Sequence, residues 1–435
     1  MTRSRRTPTS RALLSAAAAA SLLAGCGVLP GDTGGSGETL TVMTWAPEDT
    51  KATNMPGMPA MARAYERWAN SRGGINGRKL RVLTCNEHNT AGGAADCARR
   101  AVAEKAVAVV GSYSQHGHAF MAPLESAHIP YIGGYGIAQE EFQSVLSYPV
   151  NGGQPALLAG AGHQLARACR QVTLVRPDTL VGDAMPVLLN AGLKAGRHGE
   201  AADIRADENT TDYTSPARDA LAHTEQGKAG KGDDKDDRSA SCVTAALGGE
   251  RTETFFDSFR RAVETQKKKP PQISSVQGSV SQALIDRTGG AESPFEGAYV
   301  TGWYPVSTDP LWQPMRKVVA EHAFGEDALD PADVGAQTTW IAYTVFTEVV
   351  KRLGDERITG SRLARALDSS DGVATAGLTP ELRWRYEDMR AVRGYPRLVN
   401  GRVTFQVVTA GRLVAQPGEA PMDMTQTMEQ AAVAG

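Results

Sequence analysis

The densest run of hydroxyl, amide and imidazole side chains in the chain is Ser112-Tyr113-Ser114-Gln115-His116. It follows the apolar run 107–111, which reads as a buried strand, and precedes a helix expected over 117–128. Ligands of open α/β sheets lie beyond the carboxyl ends of strands. A helix start there adds free amides and the positive end of the helix dipole. That combination suits a carboxylate, with Ser114 and Gln115 as leading contacts, Ser112 and Tyr113 flanking them and His116 at the edge of the cleft. The plainer chemistry for the same residues is helix capping. His88, His116, His118 and His128 crowd one half of the chain, and metal binding is their alternative use, although His116-Gly117-His118 would also sit exposed at a helix start. No Gly-x-Ser-x-Gly elbow, Walker loop or His-Glu-x-x-His occurs, so no catalytic residue, cofactor or metal ligand is assigned and no enzyme is expected.

The N-terminus points to export. Arg3, Arg5, Arg6 and Arg11 precede the apolar run 13–23, which ends in Leu23-Ala24-Gly25-Cys26. Basic, apolar and small residues in that order make a removable signal over 1–25. The run falls short of the ~20 apolar residues of a spanning helix. Cys26 follows the small residues as in the bacterial lipoprotein box, so it is expected to carry lipid and to anchor the chain to the outer face of the cell membrane. Residues 26–38, rich in Gly, form a tether. Removing the signal leaves 42 basic against 48 acidic residues, a charge of −6, which speaks against nucleic-acid partners.

Cys85, Cys97, Cys169 and Cys242 remain, an even number in an exported chain, so two disulfides are expected. The preferred pairing of the three possible is Cys85 with Cys97 and Cys169 with Cys242. Cys169 and Cys242 stand at the starts of two strands, and in a doubly wound sheet those strands are neighbours about 4.8 Å apart. Cys85 and Cys97 span a single strand-to-helix turn.

Strand and helix signals alternate almost throughout, which predicts parallel sheets covered by helices. Strands are expected over 39–45, 79–85, 107–111 and 130–133, with helices over 58–72 and 91–105 between them. A second series follows: a helix from Pro155 to 168, strands over 171–176, 201–205 and 242–247, and helices over 182–195, from Ser215-Pro216 onward and over 252–267. The run 227–240 reads as a solvated loop. Strands over 272–276 and 297–303 lead to a long helix over 330–353, with Asp330 and Asp333 capping its start, Pro331 in its first turn and Gly354 stopping it. Residues 403–414 form a hairpin around Ala410-Gly411, and 415–435 is a tail whose last dozen or so residues read as frayed.

Gly73-Gly74-Ile75-Asn76-Gly77-Arg78-Lys79-Leu80, Val107-Ala108-Val109-Val110-Gly111-Ser112-Tyr113-Ser114 and Ile129-Pro130-Tyr131-Ile132-Gly133 occur in that order. Asp178-Thr179 with Gly182, Thr301-Gly302-Trp303-Tyr304 and the helix from Asp330 complete the set. This ordered set resembles the branched-chain-amino-acid-binding type of solute receptor over nearly all of 39–414. The resemblance implies the type I periplasmic-binding-protein fold, two Rossmann-like lobes with parallel central sheets joined by three crossovers. One lobe would comprise 39–153 plus 305–387 and the other 154–304 plus 388–414. It implies a monomer that takes a small-molecule solute (an amino acid, amide or related carboxylate) and hands it to the permease of an ABC importer. A sensory lipoprotein using the same clamshell is the alternative, with a metal-binding receptor behind it. By the same resemblance Tyr135 and Gly136 belong to a second cleft loop. Trp303 and Tyr304 would close over the solute from the other lobe, and Trp45 would end the first strand nearby. The stretches Asn151-Gly152-Gly153 and Tyr304-Pro305-Val306 hold no carboxylate, so they offer no partner for an amino acid's ammonium.

Overall fold

A computed structural model describes residues 37–50, 53–207, 210–226, 241–248, 250–267, 270–276 and 279–431. The signal, Cys26, all but the end of the tether and the 227–240 run lie outside these residues.

Thirteen strands are described: β1 Leu40–Ala46, β2 Leu80–Asn86, β3 Ala108–Val110, β4 Tyr131–Ile132, β5 Ser147–Tyr148, β6 Val172–Pro177, β7 Ala202–Ala206, β8 Cys242–Ala245, β9 Gln272–Val276, β10 Tyr299–Gly302, β11 Arg402–Thr409, β12 Arg412–Ala415 and β13 Met422–Asp423. They form two sheets. The first runs β2-β1-β3-β4-β5 and is parallel throughout. The second begins with the same doubly wound order, β7-β6-β8-β9-β10, also parallel, and then adds β11 and β12 antiparallel. Each order reverses beside its first strand, β1 or β6, which is where such sheets open a crevice.

Both faces of both sheets are covered. Along β1, Val42 packs into one buried cluster and Met43 into another; along β6, Leu174 and Val175 divide in the same way. This period of two, with apolar residues on each side, is what a parallel sheet between helix layers requires. The helix Gly57–Ser71 packs on the helices Gln313–His322 and Val334–Leu353, so the chain returns to the first lobe after β10.

The two disulfides are Cys85–Cys97 and Cys169–Cys242, with Cα separations of 5.7 and 5.9 Å. Val172 of β6 is paired with Cys242 of β8, so the second bridge ties the starts of adjacent strands.

Three expectations need correction. The long helix starts at Val334, not near 330, because of the two expected caps it is Asp333 that starts it: Oδ1 accepts the Ala336 amide at 2.7 Å. Asp330 instead closes the preceding turn by accepting the Ala332 amide. The stretch expected as one helix over 182–195 is two, Leu180–Asp183 and Met185–Ala195, and Pro186 falls in the first turn of the second, where its missing N–H costs nothing. The tail is not frayed as far as residue 431. β13 pairs with β11, and Met424 and Met428 are buried against the second lobe, so apolar anchoring overrides the polar sequence around them.

Candidate functional site

The site begins with two glycines. Gly111 and Gly133 follow β3 and β4 with φ of +62° and +63°. A Cβ on Gly111 would lie 2.9 Å from the Thr339 backbone, and one on Gly133 would lie 2.4 Å from the Ala342 Cβ. Only glycine accepts both the left-handed backbone and the approach of the helix Val334–Leu353. That helix therefore passes directly over the carboxyl ends of the first sheet.

Ser112 ties those ends together. Its Oγ accepts the Trp45 amide at 3.1 Å, and its carbonyl accepts the Tyr131 hydroxyl at 3.1 Å and the Tyr135 amide at 2.9 Å. The neighbouring loop is organised by Glu141, which is buried and accepts the amides of Gly136, Ile137 and Ala138 at 2.9–3.0 Å. Burial pushes its carboxyl up to about 7 despite these three bonds. Glu87 is likewise pushed up to about 7, chiefly by burial.

A cavity of about 190 Å³ lies between the lobes. Of the residues expected at the site, Tyr113, Tyr135, Gly136 and Trp303 line it. Tyr113 meets Tyr135 edge to face at 5.0 Å between ring centroids, and Tyr135 meets Trp303 at 5.1 Å. The three rings form a continuous wall spanning both lobes. The Trp303 Nε1 donates to the Gly153 carbonyl at 2.9 Å, fixing the indole at a crossover. Burial pushes the Tyr135 hydroxyl well above its usual range, and the nearby Tyr113 and Asp333 add to the shift.

The other expected residues sit behind this wall. Ser114 is buried, donating to Glu87 Oε2 at 2.9 Å and accepting the His116 amide. Gln115 is exposed and donates to the Tyr113 hydroxyl at 3.0 Å, steadying that ring. His116 is half-buried and outside the cavity lining. Tyr304 is buried, its hydroxyl accepting Asn151 Nδ2 at 2.9 Å and bonding Thr338 Oγ1 at 3.1 Å. Trp45 is core, packed on Phe120 and Tyr131. Among the described residues no cluster of His, Cys, Asp and Glu could hold a metal ion.

The cavity also recruits residues that local sequence does not single out. Asp333 lines it from the first lobe, with Gln337 one turn further along the same helix. Gln406 lines it from β11, and Gln154 and Ser279–Gln282 come from the second lobe. A carboxylate thus reaches the cleft after all, from outside the two stretches in which one was sought. The available signal was polarity out of place: Gln337 falls on the apolar face of a helix, and Gln406 interrupts the run Val403–Val408.

The paired doubly wound sheets, the crossovers and the lined interlobe cavity define a two-lobed α/β protein of the kind that takes a small molecule in its cleft. Residues 50–397 match the periplasmic binding protein family, and the chain belongs to it. This is a family of extracytoplasmic, non-enzymatic receptors, and no helix among the described residues is long and apolar enough to cross a membrane. No curated protein sequence matches the chain. Among solved structures it is similar to a substrate-binding periplasmic protein from Ralstonia solanacearum (18% identity, TM-score 0.67, covering 87% of this chain and 100% of that one). It is also similar to a possible leucine/isoleucine/valine-binding protein from Rhodopirellula baltica (14%, 0.69, 89% and 98%). A third is the solute-binding protein of an ABC transporter from R. palustris, solved in complex with benzoate (16%, 0.65, 87% and 95%).

Proposed function

We infer that this protein is a lipid-anchored solute receptor that captures a small polar solute between its lobes and delivers it to an ABC importer. Its cargo belongs to the amino acids, amides and related carboxylates. The observation that carries this reading is the cavity itself, lined by Tyr113, Tyr135 and Asp333 on one lobe and by Trp303 and Gln406 on the other. A solute touching both walls binds the closed arrangement better than an open one, so occupancy favours closure. Structural relatives solved with benzoate and with 3,4-dihydroxybenzoic acid, and a leucine-binding relative, support small-solute capture. Cys26 would hold the receptor at the membrane, next to its permease.

A thermal-shift screen followed by small-angle scattering tests the reading. A solute that raises the melting temperature is expected to compact the particle. A confirmed solute that leaves the scattering unchanged would remove the closure mechanism. Anchoring is tested separately: Cys26→Ala should release the mature protein into the medium, and continued membrane association would refute the lipid anchor.

A further inference from the structure

We propose that the cleft selects a solute by its nitrogen end, an ammonium, amidinium or amide group that donates hydrogen bonds, and discriminates against simple carboxylates. This rests on the solute-receptor reading and narrows its cargo, setting aside the carboxylates that carry no nitrogen donor.

Two buried amides among the residues lining the cavity carry acceptors that the protein leaves unpaired. Gln337 and Gln406 are each only 1% exposed, and both line the cavity. Gln337 Nε2 donates to the Pro331 carbonyl at 3.1 Å. Gln406 Nε2 donates to the Tyr304 carbonyl at 3.4 Å and to Thr404 Oγ1 at 3.1 Å. Because a carbonyl only accepts, these bonds settle which end of each amide is oxygen. Both Oε1 atoms are then buried without a hydrogen-bond partner in the protein. A buried acceptor left unpaired is costly, so two of them on one cavity mark where a donor is wanted. They come from opposite lobes, so a solute that donates to both would bridge the cleft.

Asp333 adds a carboxylate to the same cavity, with Oδ1 held by the Ala336 amide. The wall of Tyr113, Tyr135 and Trp303 is aromatic, and a cation lodged over a ring face is attracted by its negative quadrupole. Among the described residues that line the cavity none is Lys, Arg or His, so no side-chain cation there opposes Asp333. A carboxylate seated against Asp333, Gln337 and Gln406 would face a carboxylate and two amide oxygens. An ammonium or amidinium would face complementary charge, and a neutral amide would still satisfy the glutamines.

The test uses purified mature protein and isosteric probes: benzamidine, benzamide and benzoate, with butylamine, butyramide and butyrate as a narrower set. Melting shifts and calorimetry are read for each. The amidine, amine or amide members should bind at least about tenfold more tightly than the matched acids. Asp333→Asn keeps a competent helix cap and should weaken the cationic probes about tenfold while changing the amides much less. Gln337→Met, which keeps the side-chain length without the oxygen, should weaken both kinds. If only acids bind, the nitrogen preference is overturned and the solute receptor stands. If no probe of either charge alters melting or scattering, the cleft is not a site for such solutes and both readings fall. Equal loss for amides and cations in Asp333→Asn would overturn the charge-selective role of Asp333.

Discussion

Tyr135 and Trp303 meet edge to face with ring centroids 5.1 Å apart and planes at 81°, although one follows β4 of the first sheet and the other follows β10 of the second. The contact joins the lobes at the cleft wall, so it serves packing and recognition together. Truncation through Trp303→Ala removes the ring contact and the bond to the Gly153 carbonyl. It should cost about 3–5 kcal/mol in denaturant unfolding and weaken any cleft-bound solute. Trp303→Phe should retain most of the affinity; equal losses in both variants would assign the effect to the Nε1 bond instead.

The two buried carboxyls make stability depend on pH. Glu87 and Glu141 are both raised to about 7 from an ordinary value of 4.5, chiefly by burial. A folded-state value above the unfolded one means the folded protein holds the proton more tightly. Their contribution is therefore complete below about 4.5 and is lost as pH rises through about 7. Melting temperature should decline across that window. Glu87→Gln preserves an acceptor for Ser114 and should exceed the wild type at pH 8 while converging with it near pH 4.5. A wild-type melting curve flat from pH 4.5 to 8 would contradict this account.

Asp333 titrates in a different sense for binding. Burial, reinforced by Asp330, raises it to about 6, and Tyr135 faces it from the opposite loop. Cation affinity should rise as pH increases through about 6, because the carboxylate then carries its charge. Asp333→Asn should abolish that slope in calorimetric titrations between pH 5 and 7.5, and a slope surviving the substitution would assign it elsewhere.

The disulfides should differ in weight. Their sequence separations are 73 for Cys169–Cys242 and 12 for Cys85–Cys97. Chain-entropy arguments give about 4 kcal/mol for the longer loop and about 3 for the shorter. Paired Cys→Ser variants unfolded by urea should lose stability in that order, and the reverse order would point to native-state strain or residual structure in the unfolded chain.

Gly133→Ala tests what holds the long helix over the site. The new Cβ would meet Ala342 and occupy a left-handed backbone position. A loss of roughly 1–3 kcal/mol, together with weakened solute binding, is expected in melting and titration experiments. Unchanged binding would mean that the helix position does not govern the cleft.

Much of the architecture is legible along the chain because its signals are local. Short apolar and β-branched runs mark β1, β2 and β3, and Gly73-Gly74 and Gly354 punctuate helices. The pairing of Cys169 with Cys242 follows from strand order alone. The corrections came where a neighbour decided the outcome. Met424 and Met428 order a polar tail by finding a groove on the second lobe, and Asp333 starts a helix that Asp330 was equally equipped to cap.

The cleft divides in the same way. Ser112, Tyr113, Ser114 and Gln115 could be placed beyond β3 from sequence, because a loop after a parallel strand must emerge at the carboxyl edge. Which of them turns toward the cavity depended on partners elsewhere: Glu87 draws Ser114 inward, while Tyr113 is left to face Tyr135. Asp333, Gln337 and Gln406 converge only through the return of the chain to the first lobe and its last crossing to β11. Local periodicity determined the elements, their order and the covalent bridges. Long-range packing alone decided which polar atoms remained buried and unpaired on residues lining a common cavity, because that depends on contacts between residues far apart in the chain.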